Sequence, residues 1–276
     1  MKKIAIILGA RPNFVKAAPF FRRALSYPSI ELTLIHTGQH FDDNMSKIFF
    51  DEMSIPKPHI HLETKGEFHT EKIGKMFNSL QNLFREKKFD GVVVFGDVSS
   101  TLAGGIAAAK NNHKLIHIEA GLRSNDRRMP EETNRVIVDH LSDLLFTTEP
   151  SGTENLLKEG ISEDKIHYVG NIMIESLEIF ADKIQNSSIL ERLNLKKNTY
   201  VVVTIHRQEN TDNKLSLESI LKLLAEINDE IKIILPLHPG TKKQIEGYGL
   251  SQLLEKLILV EPLGYFDFTK LVSNSA

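Results

Sequence analysis

Runs of three to five mostly apolar residues recur along the chain, separated by longer stretches whose apolar positions fall three or four apart. In the first half the runs are Ile4–Leu8, Leu32–Ile35, Val92–Phe95, Lys114–Ile118, Leu144–Phe146 and Ile166–Val169. Val201–Thr204, Ile231–Leu235 and Leu257–Val260 follow in the second half. They are rich in Val and Ile and lack polar alternation, as parallel strands buried on both faces do. The intervening segments Phe14–Leu25, Ile73–Phe84 and Leu217–Ile227 carry helical periodicity. Strand, helix, strand in repetition predicts an α/β protein with doubly wound, Rossmann-like sheets.

Length adds a division to this pattern. At roughly 150 residues per domain, 276 residues suit two domains better than one. A polar stretch, Asn186–Asn198, interrupts the alternation, so the boundary is expected within 172–198, with domains 1–172 and 173–276. The second half offers three strands and closes on a helical pattern, Phe266–Ser273. A complete doubly wound half has more strands, so the second domain is expected to be incomplete.

Composition narrows the chemistry. Hydrophobic residues make up 41% and charged residues 25%, the balance of a globular protein. Thirty-four Lys and Arg against 36 Asp and Glu leave a formal charge of −2, which gives no reason to expect a nucleic-acid or membrane partner. Cysteine is absent, which excludes disulfides, thiolate nucleophiles and Cys-ligated metal centres. No apolar run approaches the roughly 18 residues of a membrane span. The apolar segment after Lys2-Lys3 is also shorter than the roughly 7–15 residues of a signal core. A cytoplasmic protein is expected.

Candidate chemistry gathers where parallel sheets bind ligands, after the strands. Gly9-Ala10-Arg11 follows the first strand, Thr37-Gly38-Gln39 the second, Gly96-Asp97-Val98-Ser99-Ser100 the third and Glu119-Ala120-Gly121-Leu122-Arg123 the fourth. In the second half His206-Arg207-Gln208-Glu209-Asn210 and His238-Pro239-Gly240 do the same. Polar groups along one edge of both sheets predict a cleft between the domains. Glycine and arginine in these loops suit an anionic ligand, with Arg11 and Arg207 as candidate bidentate contacts. Neither dinucleotide nor Walker signature is present. Asp97, Glu119, Glu131 and Glu132 are candidate acid–base carboxylates, although Asp97, Ser99 or Ser100 also suits a helix cap, and the two glutamates after Pro130 a helix first turn. His117-Ile118-Glu119 matches the H-x-E of zinc deaminases but lacks the cysteines that chemistry needs. His59, His61 and His69 read as surface histidines rather than a metal site, and no G-x-S-x-G elbow supports a serine hydrolase.

As a set, GARPNFVKAAP (9–19), TGQHFDDNM (37–45), GDVSSTLAG (96–104), HIEAGLRS (117–124), MPEETNR (129–135), IHRQEN (205–210) and LPLHPGT (235–241) resemble the non-hydrolysing UDP-N-acetylglucosamine 2-epimerases. The resemblance runs through essentially the whole chain. It implies a GT-B-like pair of Rossmann domains with a UDP-sugar in the cleft, a homodimer, and no cofactor or metal in the chemical step. The implied reaction interconverts UDP-GlcNAc and UDP-ManNAc by eliminating UDP to 2-acetamidoglucal and adding it back. Asp97, Glu119, Glu131 and His206 map onto the family's catalytic residues. Arg11, Lys16, Gln39, Arg123, Arg135, Arg207, Glu209 and His238 fall where substrate contacts are expected. The wording also resembles a branch acting on a UDP-2,3-diacetamido-uronic acid. Family members continue into a D-S-G-G-x-x-E-E segment that binds uridine diphosphate, and Ala276 stands where the strand before it would begin. The resemblance therefore also implies weakened UDP binding, and an inactive nucleotide-sugar-binding remnant is the non-enzymatic alternative. Many bacterial members carry Arg directly after Gln-His, near a second, activating UDP-GlcNAc. Here Phe41 follows Gln39-His40, so the resemblance leaves activation by a second UDP-GlcNAc open.

Overall fold

The computed structural model describes residues 1–39, 50, 52–64, 66 and 68–276, without the side chains of Arg11, His69, Gln208 and Glu209. Two compact units are present, Met1–Ile179 and Phe180–Ala276.

The first unit is built on a seven-stranded sheet. Its strands are β1 (Lys2–Leu8), β2 (Ile30–His36), β3 (Ile60–His61), β4 (Gly91–Phe95), β5 (Leu115–Ala120), β6 (Leu144–Thr147) and β7 (Ile166–Tyr168). They lie in the order β3-β2-β1-β4-β5-β6-β7, and all pairs are parallel. The helices are α1 (Arg11–Ala24), α2 (His69–Glu86), α3 (Ser99–Lys110), α4 (Pro130–Leu141), α5 (Pro150–Lys158) and α6 (Ile172–Ile179). Ala5, Ile6, Ile7 and Leu8 are all buried, so β1 is covered on both faces, which is why its sequence does not alternate. On one face Ile7, Val92, Val94 and Leu115 pack with Met76, Leu80 and Phe84 of α2 and Val138 of α4. A fully buried side chain of this size contributes roughly 1.5–3 kcal/mol.

Small residues let α3 sit close. A Cβ on Gly104 would stand 2.7 Å from Ile7 Cδ1, and one on Gly105 would stand 3.1 Å from Val138. The run Leu102-Ala103-Gly104-Gly105 thus brings α3 against β1 and α4. This approach places the N-terminus of α3 beside the ends of β1 and β4. The strand that sequence patterning misses is β3, a two-residue edge. His59 accepts the Leu34 N–H through Nδ1 (3.0 Å), and His61 stacks on His36 with ring centroids 4.8 Å apart. His59 and His61 are both exposed, as expected of surface residues, and they dock the edge through these contacts.

The second unit carries β8 (Tyr200–Val202), β9 (Lys232–Pro236) and β10 (Ile258–Val260), parallel and ordered β10-β9-β8. Its helices are α7 (Ala181–Gln185), α8 (Ile189–Arg192), α9 (Gln208–Thr211), α10 (Lys214–Ile227), α11 (Pro239–Gly247) and α12 (Tyr265–Ser273). Ile233 and Leu235 face Leu217 and Leu221 of α10, whereas Ile234 packs with Tyr200 and Leu271 on the other side. The buried Tyr200 hydroxyl donates to the Leu271 carbonyl (2.6 Å), and Arg192 pairs with Asp267 across α8 and α12. No helix among the described residues is long and apolar enough to cross a membrane.

The end of β5 is pinned to α5. Gly121 has φ +79°, and a Cβ there would meet the Gly152 carbonyl oxygen at 2.3 Å. Asn155 donates to the Gly121 carbonyl at 2.9 Å. Gly121→Ala is expected to destabilise the unit by at least about 2 kcal/mol, combining left-handed strain with the clash. Urea unfolding followed by circular dichroism measures this, and an unchanged midpoint would show that β5 relaxes freely.

Candidate active site

The carboxyl ends of β4 and β5 turn sharply. Gly96 has φ +59° and Glu119 has φ +70°, a conformation in which non-glycine residues are uncommon. Glu119 sits where the register between β5 and β6 shifts, between Ile118 and Ala120. A bulge of this kind re-aims a side chain at the end of a strand. The Glu119 carboxylate turns over the Gly96 backbone: a Cβ on Gly96 would lie 2.9 Å from Glu119 Oε2 and 3.1 Å from Lys16 Nζ. Lys16, on α1, forms an ion pair with Glu119, and both side chains are largely buried. A side chain at position 96 would have to displace the ends of both, and φ +59° itself favours glycine there.

Asp97, the next residue, holds a second ion pair. Arg135 of α4 reaches its Oδ2 at 2.5 Å and Glu132 Oε2 at 3.3 Å. Asn134 donates to the Asp97 carbonyl at 2.7 Å, which fixes the turn from β4 to α3. The Nε of Arg135 is buried and has no partner among the described residues. The cap of α3 is Val98, which has no side-chain acceptor, so neither Asp97 nor the serines fill the capping role. Ser100 instead donates through its N–H (3.0 Å) and its hydroxyl (2.8 Å) to Gln39 Oε1, which joins the ends of β2 and β4.

The two glutamates after Pro130 divide their work. Both lie in the first turn of α4. The buried Glu132 accepts from Ser124 N–H, the Ser124 hydroxyl and Asn125 N–H, each at 2.9 Å. Burial opposes its ionisation, but these donors and Arg135 together hold its carboxyl below the usual range. Glu131 is half-buried.

Behind the turns lies a charged network. The buried His117 bonds through Nδ1 to Asp139 Oδ1 and through Nε2 to the Gly96 carbonyl, each at 2.7 Å. Asp139 also accepts from Gly121 N–H (3.1 Å) and Arg123 Nη1 (2.7 Å). Burial raises the Asp139 pKa, but His117 and Arg123 outweigh it and hold the carboxyl ionised. Arg123 grips Glu159 with two further bonds of 2.7 Å and its Nη1 donates to the Leu122 carbonyl. Its guanidinium is thus committed to the protein, away from the substrate contact expected from sequence.

In the second unit His206 and Arg207 are exposed after β8. His238 caps α11, accepting from Gly240 N–H at 3.2 Å. The side chains of Arg11 and Glu209 and residues 40–45 of the TGQHFDDNM segment lie outside the described residues. The structure pairs Lys16 with Glu119 and Arg135 with Asp97, and joins Gln39 to Ser100. Sequence reasoning overlooked Asn134 and Asp139, weighed His117 only as a zinc-site candidate, and offered Glu132 as an acid–base carboxylate, whereas Glu132 is bound to the 124–125 turn and to Arg135. The available signal was α4 itself, where polar residues occupy inward positions beside Val138.

Carboxylates paired with cations at the carboxyl ends of a parallel sheet define an α/β enzyme equipped for acid–base chemistry on an anionic substrate. The sequence profile of the UDP-N-acetylglucosamine 2-epimerases matches residues 23–276. A UDP-N-acetylglucosamine 2-epimerase homolog of Methanococcus maripaludis is 43% identical over 278 residues, covering 99% of this chain and 76% of the relative. The Pseudomonas aeruginosa UDP-2,3-diacetamido-2,3-dideoxy-D-glucuronate 2-epimerase is 38% identical over 276 residues, with the same coverages. The crystal structure of Methanocaldococcus jannaschii UDP-GlcNAc 2-epimerase with UDP-GlcNAc and UDP superposes with a TM-score of 0.91 at 39% identity, covering 99% of this chain and 77% of that one. The chain belongs to the UDP-N-acetylglucosamine 2-epimerase family, and it is an isomerase by class.

Glu132 offers a test of the site's electrostatics. Its pKa is lowered on folding, so its stabilisation is present above the unfolded value, near pH 4.3, and is lost as pH falls through the folded value. The melting temperature is expected to drop as pH falls below about 4.3, and Glu132→Gln should flatten part of that drop. Thermal melts of both proteins across this range measure the difference; parallel curves would remove Glu132 from the acid response.

Proposed function

We propose that this chain interconverts UDP-GlcNAc and UDP-ManNAc by elimination and re-addition of UDP. A carboxylate takes the C2 proton while the C1–O bond to UDP breaks, its electron pair leaving on the diphosphate oxygen. A C1=C2 double bond forms, giving 2-acetamidoglucal. The UDP oxygen then attacks C1 as a second carboxylic acid protonates C2 on the opposite face. Proton removal on one face and delivery on the other call for more than one acid–base group, and Asp97, Glu119 and Glu131 are assigned to these tasks.

The observation that carries this reading is the pair of ion pairs at the ends of β4 and β5: Glu119 with Lys16 over Gly96, and Asp97, the residue after Gly96, with Arg135. Lys16 and Arg135 are accordingly assigned to holding these carboxylates and to balancing negative charge as the diphosphate leaves. His206, Arg207 and Arg11 are assigned to the diphosphate itself. The P. aeruginosa relative supports a second reading, the same inversion at C2 of a UDP-2,3-diacetamido-uronate, since only the substituents on the ring differ.

Incubated with UDP-GlcNAc in deuterium oxide, the chain is expected to produce UDP-ManNAc with deuterium at C2, read by proton NMR. Asp97→Asn should stop this exchange. Exchange that persists would remove Asp97 from the acid–base set, and exchange only with the diacetamido-uronate would favour the second reading. Lys16→Met, which keeps length but not charge, is expected to lower kcat by on the order of 100-fold. A change confined to KM would instead make Lys16 a simple binding group.

A further inference from the structure

His117 and Asp139 are both buried, and neither belongs to the acid–base set. Their hydrogen bonds reach the two backbone turns on which that set depends. His117 Nε2 holds the carbonyl of Gly96, the residue before Asp97. Asp139 Oδ2 holds the N–H of Gly121, two residues after Glu119. Gly96, Glu119 and Gly121 are all left-handed, so these peptide groups turn away from regular ladder geometry and need other partners. One connected pair of side chains supplies them.

We propose that His117 is a positioning residue of the reaction, a doubly donating clamp that with Asp139 sets the Asp97 and Glu119 turns relative to each other. This deepens the acid–base reading and rests on it. The direction of the bonds follows from the partners. The Gly96 carbonyl can only accept, so Nε2 carries a hydrogen. Asp139 already accepts from Gly121 and Arg123, and as a carboxylate it can only accept from Nδ1. His117 therefore donates through both ring nitrogens. Arg123 and Glu159 extend the network from Asp139 outward and hold the carboxylate in place. No neutral side chain of this size presents two donors on opposite edges of a rigid ring.

Nitrogen-15 NMR of the full chain labelled at histidine tests the clamp without any turnover. His117, assigned by the signals lost in His117→Gln, is expected to show a proton on both ring nitrogens at neutral pH. A single protonated nitrogen would overturn the proposal. In the deuterium-exchange assay, His117→Gln is expected to reduce kcat by on the order of 100-fold with KM unchanged, because misplacement of the reacting groups slows chemistry more than binding. An unchanged kcat, or a loss confined to KM, counts against it. Imidazole is expected to restore part of the activity of His117→Ala, whereas 1-methylimidazole, with one nitrogen blocked, should not. Equal rescue by both would reduce His117 to a space-filling role. If His117→Ala does not fold, the glutamine variant and the NMR signature still decide. A native chain inert towards C2 exchange would defeat the acid–base reading, and the nitrogen signals would then judge the clamp by themselves.

Discussion

A glutamate in the left-handed region costs on the order of 1–3 kcal/mol, and Glu119 holds that conformation at φ +70° at the end of a central strand. The surrounding structure over-determines it. Residue 120 rejoins the ladder opposite Thr147, and Gly121 is locked under α5 through Gly152 and Asn155. On the other side Gly96, also left-handed, leaves room for the carboxylate. Had Glu119 continued β5 without a shift, its side chain would follow the strand's regular alternation instead of turning over Gly96 towards Lys16. The strain thus places the Glu119 carboxylate over Gly96, and its ion pair with Lys16 follows from that placement.

The two ion pairs stand in different surroundings. In the proposed reaction one acid–base group takes a proton as another gives one, so unequal surroundings serve better than identical ones. Glu119 has a single lysine in a largely buried place, and Asp97 shares Arg135 with Glu132 in a more open one. Glu132, satisfied by three donors from the 124–125 turn, anchors Arg135 without competing for the chemistry. Adjacent glutamates on α4 therefore differ in kind: one is bound into the protein and the other is left half-buried.

The sheet was legible because its strands are continuous apolar runs, and the nine expected ones all form. The tenth, β3, escaped because two residues at an edge, Ile60 and His61, leave no periodicity to detect. Motif spacing located Lys16, Asp97, Glu119 and Arg135, since each follows a strand or falls on the helix after it. Asp139 was hidden for a different reason. Its partners His117 and Gly121 lie 22 and 18 residues away, and nothing local distinguishes it from a solvent-facing aspartate on a helix. The cap of α3 misled for the same reason: Ser100 faces Gln39, 61 residues distant, and leaves the local role empty.

Arginine shows how far residue type alone carries a functional assignment. Arg123, Arg135 and Arg207 all stand in loops or helices beside strand ends, and sequence treats them alike. In the fold Arg123 is saturated by Asp139, Glu159 and a carbonyl, Arg135 holds a candidate catalytic carboxylate with its Nε unpartnered among the described residues, and Arg207 is exposed. A guanidinium already satisfied by buried carboxylates cannot turn to a diphosphate without leaving those charges unpaired, a large penalty. In the proposed reaction the first unit's acid–base groups serve C1 and C2 of the sugar, which are common to both candidate substrates. Choice between an acetamido sugar and its diacetamido-uronate counterpart must then rest on groups that meet C3 and C6, outside the set that Gly96, Glu119 and His117 arrange.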